Sequence, residues 1–466
     1  MGHNAQKRGF LFSLGMKIRR LSEFQGRFVY PNFDTDHELL MESFLDTRLG
    51  VIYQAVPWME LVSVFGLREP RKGPRPMFSP RGKIALMFLK HYAGCSDRKL
   101  IEHLNSNVHY QIFCDIVVPV GPPITNYKIV SDIRCELADR LNTGKVQQVL
   151  ADKWVPYMSD LGSICMDATC YESDMRHPTD IKLLWEAVEW NHRLLREHCK
   201  VLGLPLPRTK FNKWAGRYSG HSKSRRPSKK QRRGMTRGLL RLLDKLHPIL
   251  SELEKEHAIS YGSDRSKRRR ATATILRQQA QQFHKGTKPT GRIVSLDRPY
   301  IRPIKRGKEV RATEFGAKVN KLQVDGISFI EHLSFDNFNE GTRLKRTVWL
   351  AQPLFRTKTK MLGADAIYAT NANRNFVTAN GIKTDFKRKG KKTGHHEHFG
   401  ILAKMITKER ATRLEGSFGT DKEHFLLKKI KARTEKTEML WIFFGIHTSN
   451  ALKIGQRIQN QTQKAA

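Results

Sequence analysis

The feature that most limits how this chain can fold lies near its middle. Residues 201–310 carry 29 lysines and arginines against 7 acids, a net of +22 within 110 residues. Charge at that density cannot be buried unpaired, so whatever this stretch forms must keep one face open to solvent or to a polyanion. Its densest runs are Ser222-Lys-Ser-Arg-Arg-Pro-Ser-Lys-Lys-Gln-Arg-Arg233 and Arg265-Ser-Lys-Arg-Arg-Arg270. Apolar residues at helical spacing lie between and after these runs. The segment from Gly238 reads as a helix that is kinked or ended near Pro248, and Ala271 to Phe283 reads as another. The expectation is therefore a set of helices with basic faces, not a solvated tail.

The excess extends to the whole chain. Across 466 residues there are 84 basic and 44 acidic side chains, a formal net charge of +40, with a pI near 10.2. Nucleic acid is the expected partner of such a surface; a ribosome or an anionic membrane surface is the bland alternative. The length allows two to four domains and a large core. No apolar run approaches the roughly 18–20 residues needed to span a bilayer. The short Phe10-Leu-Phe-Ser-Leu-Gly-Met16 lacks a small-residue cleavage site, so no signal peptide is read there. Six cysteines between Cys95 and Cys199 include no two pairs at zinc-finger spacing, which points to reduced thiols in an intracellular protein.

The pattern along the chain is first helical and later mixed. Residues 1–35 read as a loose basic arm and 36–158 as an all-helical region. Within it, a helix starting at Pro80, a turn at Ala93-Gly-Cys and a helix capped by Ser96 are compatible with a helix-turn-helix, or equally with an ordinary helical hairpin. Gly121-Pro-Pro-Ile is a break, and helices follow over about 127–141 and 143–158. Residues 159–460 read as a mixed α/β unit with a helical basic insertion over about 181–310, opened by a helix capped by Thr179. Glu314 to Val324, Asp325-Gly326 and Ile327 to Leu333 read as a β-hairpin. A helix near 342–358 follows, and two closing helices are expected over Glu409 to about Lys431 and Glu438 to Ile458.

Three acids stand out in this basic background. Asp167 ends the apolar run Leu161-Gly-Ser-Ile-Cys-Met-Asp167. Asp365 ends a second, Lys360-Met-Leu-Gly-Ala-Asp365, 198 residues later. Glu415 follows after a further 50, at the head of an expected helix. Each alone has a bland reading, as a turn aspartate or a solvated helix glutamate. Together they are the oxygen ligands that shared divalent metals require for phosphodiester chemistry. Asp174, Asp180, Asp385, Glu409 and Glu423 are the competing carboxylates. His395-His-Glu-His398 invites a metal reading, but its setting is a basic loop. Trp185 and Trp190 on one amphipathic helix fit a core better than a base-stacking platform.

The ordered set resembles the DDE transposases of bacterial insertion sequences, in the RNase H-like superfamily. Met166-Asp-Ala-Thr169 is similar to the first Asp motif. Glu314-Phe-Gly-Ala-Lys-Val-Asn320 is similar to the second strand. Ala364-Asp365-Ala-Ile-Tyr368 with Asn373-Arg374 is similar to the second Asp motif. Glu415 and Lys422 keep the family spacing, six residues between them, and Thr448-Ser-Asn-Ala-Leu-Lys453 also fits. Residues 77–115 resemble the N-terminal domain common in that group. Two positions depart: Ala411 stands where an arginine is common, leaving Arg410 or Arg413 as substitutes, and Ala366 follows the second Asp.

The resemblance implies an RNase H-like mixed sheet preceded by an all-α DNA-binding domain. It implies catalysis by Asp167, Asp365 and Glu415 with two Mg²⁺ ions, Mn²⁺ serving as a substitute. Lys422, Arg374 and Arg413 would face DNA near the site, Arg98 and Lys99 from the N-terminal helices, and Arg225, Arg226, Arg268 and Arg269 from the insertion. The partners would be double-stranded DNA, both inverted-repeat ends and target, and a second copy of the chain on paired ends, in the cytoplasm at the nucleoid. The alternatives are an inactive or repurposed DNA-binding protein, and an RNase H-type nuclease that does not join strands.

Overall fold

The computed structural model describes residues 28–30, 33–35, 37–70, 72–118, 123–305, 313–387 and 396–465. Most of the expected basic arm and part of the break at Gly121 lie outside the described residues. So does His395, and of His396–His398 only the backbone is described.

A small antiparallel hairpin, β1 (Phe28–Tyr30) and β2 (Phe33–Thr35), precedes eight helices. These are α1 (His37–Leu45), α2 (Arg48–Ala55), α3 (Trp58–Val64), α4 (Pro80–Ala93), α5 (Asp97–Ser106), α6 (Val108–Phe113), α7 (Lys128–Arg140) and α8 (Thr143–Trp154). The sequence writes their starts. Thr47, Ser79, Ser96, Asn107 and Asn142 each accept a hydrogen bond from a backbone N–H in the first turn that follows. Helix α4 stops at Gly94, whose φ of +62° suits glycine at that position. Ile84 to His91 of α4 are all buried, so α4 is a central core helix, while α5 keeps Arg98 and Lys99 exposed.

Strand β3 (Ser163–Glu172) then opens the sheet. The chain leaves it for four helices: α9 (Asp180–Leu202), α10 (Phe211–Lys223), α11 (Lys229–Glu256) and α12 (Ser263–Lys285). Thr179 caps α9 as its sequence implies. Helix α11 continues past Pro248 to Glu256, so the chain does not end its helix there. The leucines on either side, Leu239, Leu243, Leu246 and Leu250, are fully buried, and that packing outweighs the one lost backbone bond. The insertion has its own core, built from α9, α11 and α12.

The chain returns through β4 (Pro303–Lys305), β5 (Thr313–Val324), β6 (Ile327–Ser334), α13 (Leu344–Phe355), β7 (Met361–Ala364), α14 (Asn371–Ala379) and β8 (Lys383–Thr384). It closes with α15 (His396–Glu409), a π-helical turn Arg410–Glu415, α16 (Gly416–His424) and α17 (Glu435–Ala465). The sheet is mixed. β3 lies at its centre, antiparallel to β5 on one side and parallel to β7 on the other, with β8 parallel beyond β7. β6 and β4 both pair with the far side of β5. The β5–β6 turn is Asp325-Gly326, both with positive φ, as a tight two-residue hairpin requires.

One continuous apolar core joins α1–α8 to the sheet, α13 and α17. The open edge of β6 is closed by side-chain amides. Gln147 of α8 takes both backbone groups of Ile330, accepting at 2.6 Å and donating at 3.0 Å. Asn450 of α17 does the same to Ser328. Such amides satisfy ladder groups that would otherwise offer themselves to another strand.

Candidate active site

The two aspartates stand side by side on neighbouring strands: Asp365 follows the last residue of β7, whereas Asp167, which ends an apolar run in the sequence, lies in the middle of β3, which continues to Glu172. β3 and β7 run parallel in the register Met166↔Ala364, so Asp167 and Asp365 are the next residues along each strand. Both use one carboxylate oxygen in the same way: Asp167 Oδ1 accepts from the Ala168 N–H at 2.8 Å, and Asp365 Oδ1 from the Ala366 N–H at 2.7 Å. Their other oxygens make no hydrogen bond within the described residues. Burial holds the Asp167 carboxyl up at about 6, with the charges of Glu340 and Asp365 adding to the rise and Arg410 opposing it. Glu340, only 16% exposed and paired with Lys318 at 2.7 Å, had no motif to mark it.

Glu415 reaches the pair by an unexpected route. It stands at the head of α16, as expected, but the chain before it is already helical: Glu415 ends the π-helical turn inside a helical run from His396 to His424. In an α-helix, residues five apart point about 140° away from each other. A π turn closes i→i+5 bonds and brings them to one side. Arg410 and Glu415 are five apart, and Arg410 Nη1 stands 3.7 Å from Glu415 Oε1 and 3.9 Å from Asp365 Oδ1. Its Nε lies 3.8 Å from Asp385 Oδ2. These are ion-pair distances, too long for hydrogen bonds, and Nε is buried without a hydrogen-bond partner. Asp385 accepts from the Ala364 N–H at 3.2 Å, anchoring the end of β7, and burial raises its pKa. Of the two arginines considered, Arg410 is the one beside Asp365 and Glu415. Arg413 instead pairs with Glu409 and with Asp325 of the hairpin turn, each at 3.1 Å.

Helix α16 is fixed to the sheet beside the aspartates. Lys321 faces Asp167 across the β3–β5 register. Its Nζ donates to Asp421 Oδ2 at 2.7 Å and to Ser417 Oγ at 3.0 Å, and Tyr171 Oη donates to the same Asp421 oxygen at 2.7 Å. Lys321 and Asp421 are fully buried, so this pairing holds α16, and the turn before it, at a set height over β3. Lys422, next along, donates from Nζ to Thr169 Oγ1 at 3.2 Å, two residues beyond Asp167 on the same face of the strand. Neither Lys321 nor Asp421 has a marking spacing in the sequence; only the register brings them together.

The donor set fits a hard divalent cation in kind: carboxylates with free oxygens, one of them, Asp167, raised by burial and further by neighbouring negative charge. As they stand, no three acid, histidine or cysteine side chains among the described residues converge on one ion position. Arg410 lies between two of the carboxylates.

The other expected DNA-facing residues divide. Arg98 is exposed over the Tyr127 ring, and Lys99, Arg225 and Arg226 are exposed. Arg374 donates to the backbone oxygens of Ala369 and Lys387, bracing the loop after Asp365. Arg268 pairs with Asp297 at 2.7 Å. Arg269 departs from the expectation: it turns inward and bonds Glu254, Asn191, Ser251 and the His247 carbonyl, leaving its side chain only 11% exposed. Among the competing acids, Asp180 is engaged by Gln279, Gln282 and Arg292, and Glu423 by Lys428. Trp185 and Trp190 are buried in the insertion core. All six cysteines are free thiols, with burial raising Cys165 to about 12. No helix among the described residues is long and apolar enough to cross a membrane.

No curated protein and no solved structure matches the chain. Residues 39–134, which run from α1 into α7, match the family model described as a transposase domain (DUF772), and that match supports a transposase.

Proposed function

We propose that this protein is a DDE transposase with an RNase H-like catalytic sheet, in which Asp167, Asp365 and Glu415 hold two Mg²⁺ ions. It would bind the terminal inverted repeats of its own element, hydrolyse the phosphodiester at each end and join the freed 3′-hydroxyls to target DNA. The observation that carries the reading is the side-by-side placement of two aspartates, Asp167 within β3 and Asp365 just past β7, on adjacent parallel strands, with Glu415 brought alongside by the turn that also carries Arg410. The transposase-domain match over residues 39–134 supports the same class. When bound, the metals supply Lewis-acid polarisation of the phosphodiester and a lowered pKa for the attacking water.

The chain's own residues have separable roles in this reading. Asp167 and Asp365 offer their unbonded oxygens from a rigid strand pair. Glu415 completes the set from the end of a π-helical turn, whose i→i+5 bonding sets it on the same side as Arg410. Lys422, beside Thr169, is placed to neutralise a substrate phosphate near Asp167. Arg410 balances the carboxylates while no other cation does. Work on two ends calls for two sites, and hence a dimer on paired ends.

Cleavage and joining of labelled DNA carrying the element's ends, with Mg²⁺, tests this. Wild type should cut and join, while Asp365→Ala and Glu415→Ala bind the DNA but do neither. Cutting by the variants would reassign the carboxylates. Cutting without joining by wild type would favour a nuclease, and binding without cutting a repurposed DNA-binding protein.

A further inference from the structure

The insertion's cations are not equivalent. Arg265 is paired with Glu197, Arg268 with Asp297, Arg269 with Glu254 and Arg292 with Asp180. The first half of α11 is different. Lys229, Lys230, Arg232, Arg233, Arg237 and Arg241 are all exposed, and none makes an ion pair within the described residues. No acid occurs from Lys229 to Leu243. Lys230, Arg233, Arg237 and Arg241 follow one another at three- and four-residue steps, a stripe along about 16 Å of helix opposite the buried Met235, Leu239 and Leu243. Arg233 and Arg237 rest on the Phe283 ring of α12, at 5.7 and 6.0 Å from its centroid, which limits their freedom.

This placement works against the stability of the free protein. Four cations crowd the first turns of a helix, the end whose dipole disfavours positive charge, and the first turn has no acid. Gly234 sits among them with open space where a Cβ would be, at a cost of about 1 kcal/mol relative to alanine. A polyanion lying close along the helix would offset the electrostatic cost, and the glycine leaves no side chain to hinder its approach.

The aromatic side chains decide which polyanion. Single-strand binding needs exposed rings on which bases stack. Here Tyr218, Trp185, Phe211 and His192 stack on one another, with successive centroids 4.7, 5.5 and 3.7 Å apart, and Trp214 lies against Gly238. Among the described residues, the large exposed apolar side chains of the insertion are Val201, Leu204 and Leu206, none aromatic.

We propose that the Lys229–Arg241 face of α11 is a docking surface for the phosphate backbone of duplex DNA, used without regard to base sequence. The choice of DNA as the polyanion rests on the transposase reading; the choice of face does not. The test uses the full-length protein and a fluorescent duplex of about 30 base pairs without inverted repeats, with affinity followed by polarisation from 50 to 200 mM NaCl. Neutralising Lys229, Lys230, Arg237 and Arg241 to Gln should lower the slope of log K against log salt by about three to four and weaken binding at least tenfold. Arg265→Gln, whose charge is already paired, should change the slope by less than one. Arg237→Lys with Arg241→Lys should keep the slope, since phosphate contact needs charge and not a guanidinium fork; this pair also keeps the result readable if the fourfold variant unfolds on melting. An unchanged slope in a folded fourfold variant, a slope lost in the double lysine variant, or tighter binding of oligo-dT than of duplex would each overturn the proposal. Wild type that binds no DNA at low salt would sink the transposase reading as well.

Discussion

Nη1 of Arg410 stands 3.7 Å from Oε1 of Glu415, five residues further along the chain, because the turn between them is π-helical. The same nitrogen lies 3.9 Å from Asp365. Two arginines were open candidates for this place, and they can be separated. Arg410→Ala should reduce strand cleavage by about 10²-fold or more with end binding intact, the scale of losing one preorganised charged group at a reacting site. Arg413→Ala, which loses only pairs to Asp325 and Glu409, should cleave within a few-fold of wild type. Equal losses in the two variants, measured by single-turnover cutting, would remove the special role of Arg410.

Lys321 and Asp421 form a buried ion pair beneath α16. Lys321→Met should destabilise the protein by about 3–5 kcal/mol, because it strands a buried carboxylate. Adding Asp421→Asn should recover part of that loss, since the remaining group is neutral and can still accept from Tyr171. Urea unfolding of the two variants decides it: no recovery in the double variant would mean the pair acts through packing alone.

Asp167 makes the metal-free fold pH-sensitive in one direction. Its folded pKa, about 6, lies above the usual carboxylate value, so the folded state favours the protonated form. Stability from this group is complete below about pH 4 and is lost as pH rises through 6. Asp167→Asn should therefore match wild type near pH 4 and exceed it at pH 7, by about 1–3 kcal/mol. Melting curves with a chelator present, at both pH values, test the sign; a less stable variant at pH 7 would contradict it.

Gly238 of α11 receives the ring of Trp214 from α10. A Cβ there would fall 1.6 Å from a ring carbon. Gly238→Ala should displace α10, cost about 1–3 kcal/mol and expose the Trp214–Phe211 segment to limited proteolysis, which mass spectrometry would locate. An unchanged digestion pattern would show that the ring has room to move.

Much of this molecule was legible from short-range chemistry. Pro80, Ser96 and Thr179 marked helix starts, because a cap or a first-turn proline acts within a few residues of the chain. Asp325-Gly326 marked the hairpin because few residues tolerate two successive positive φ angles. Misreadings arose where distant packing overrode local preference. Pro248 did not end α11, because the leucines around it are buried. Arg269, in the densest basic run, turned inward to Glu254, Asn191 and Ser251.

The sequence by itself determined a basic, helix-rich α/β chain and singled out Asp167, Asp365 and Glu415, because charge, capping and apolar periodicity are properties of neighbours in the chain. Only the tertiary structure decided that the two aspartates stand side by side on adjacent strands, that Arg410 and not Arg413 lies between Asp365 and Glu415, and that Lys321 anchors Asp421 beside them. Those relations depend on strand register and on the pitch of a single helical turn. A one-residue change in either would re-aim every side chain involved while leaving the sequence pattern almost unaltered.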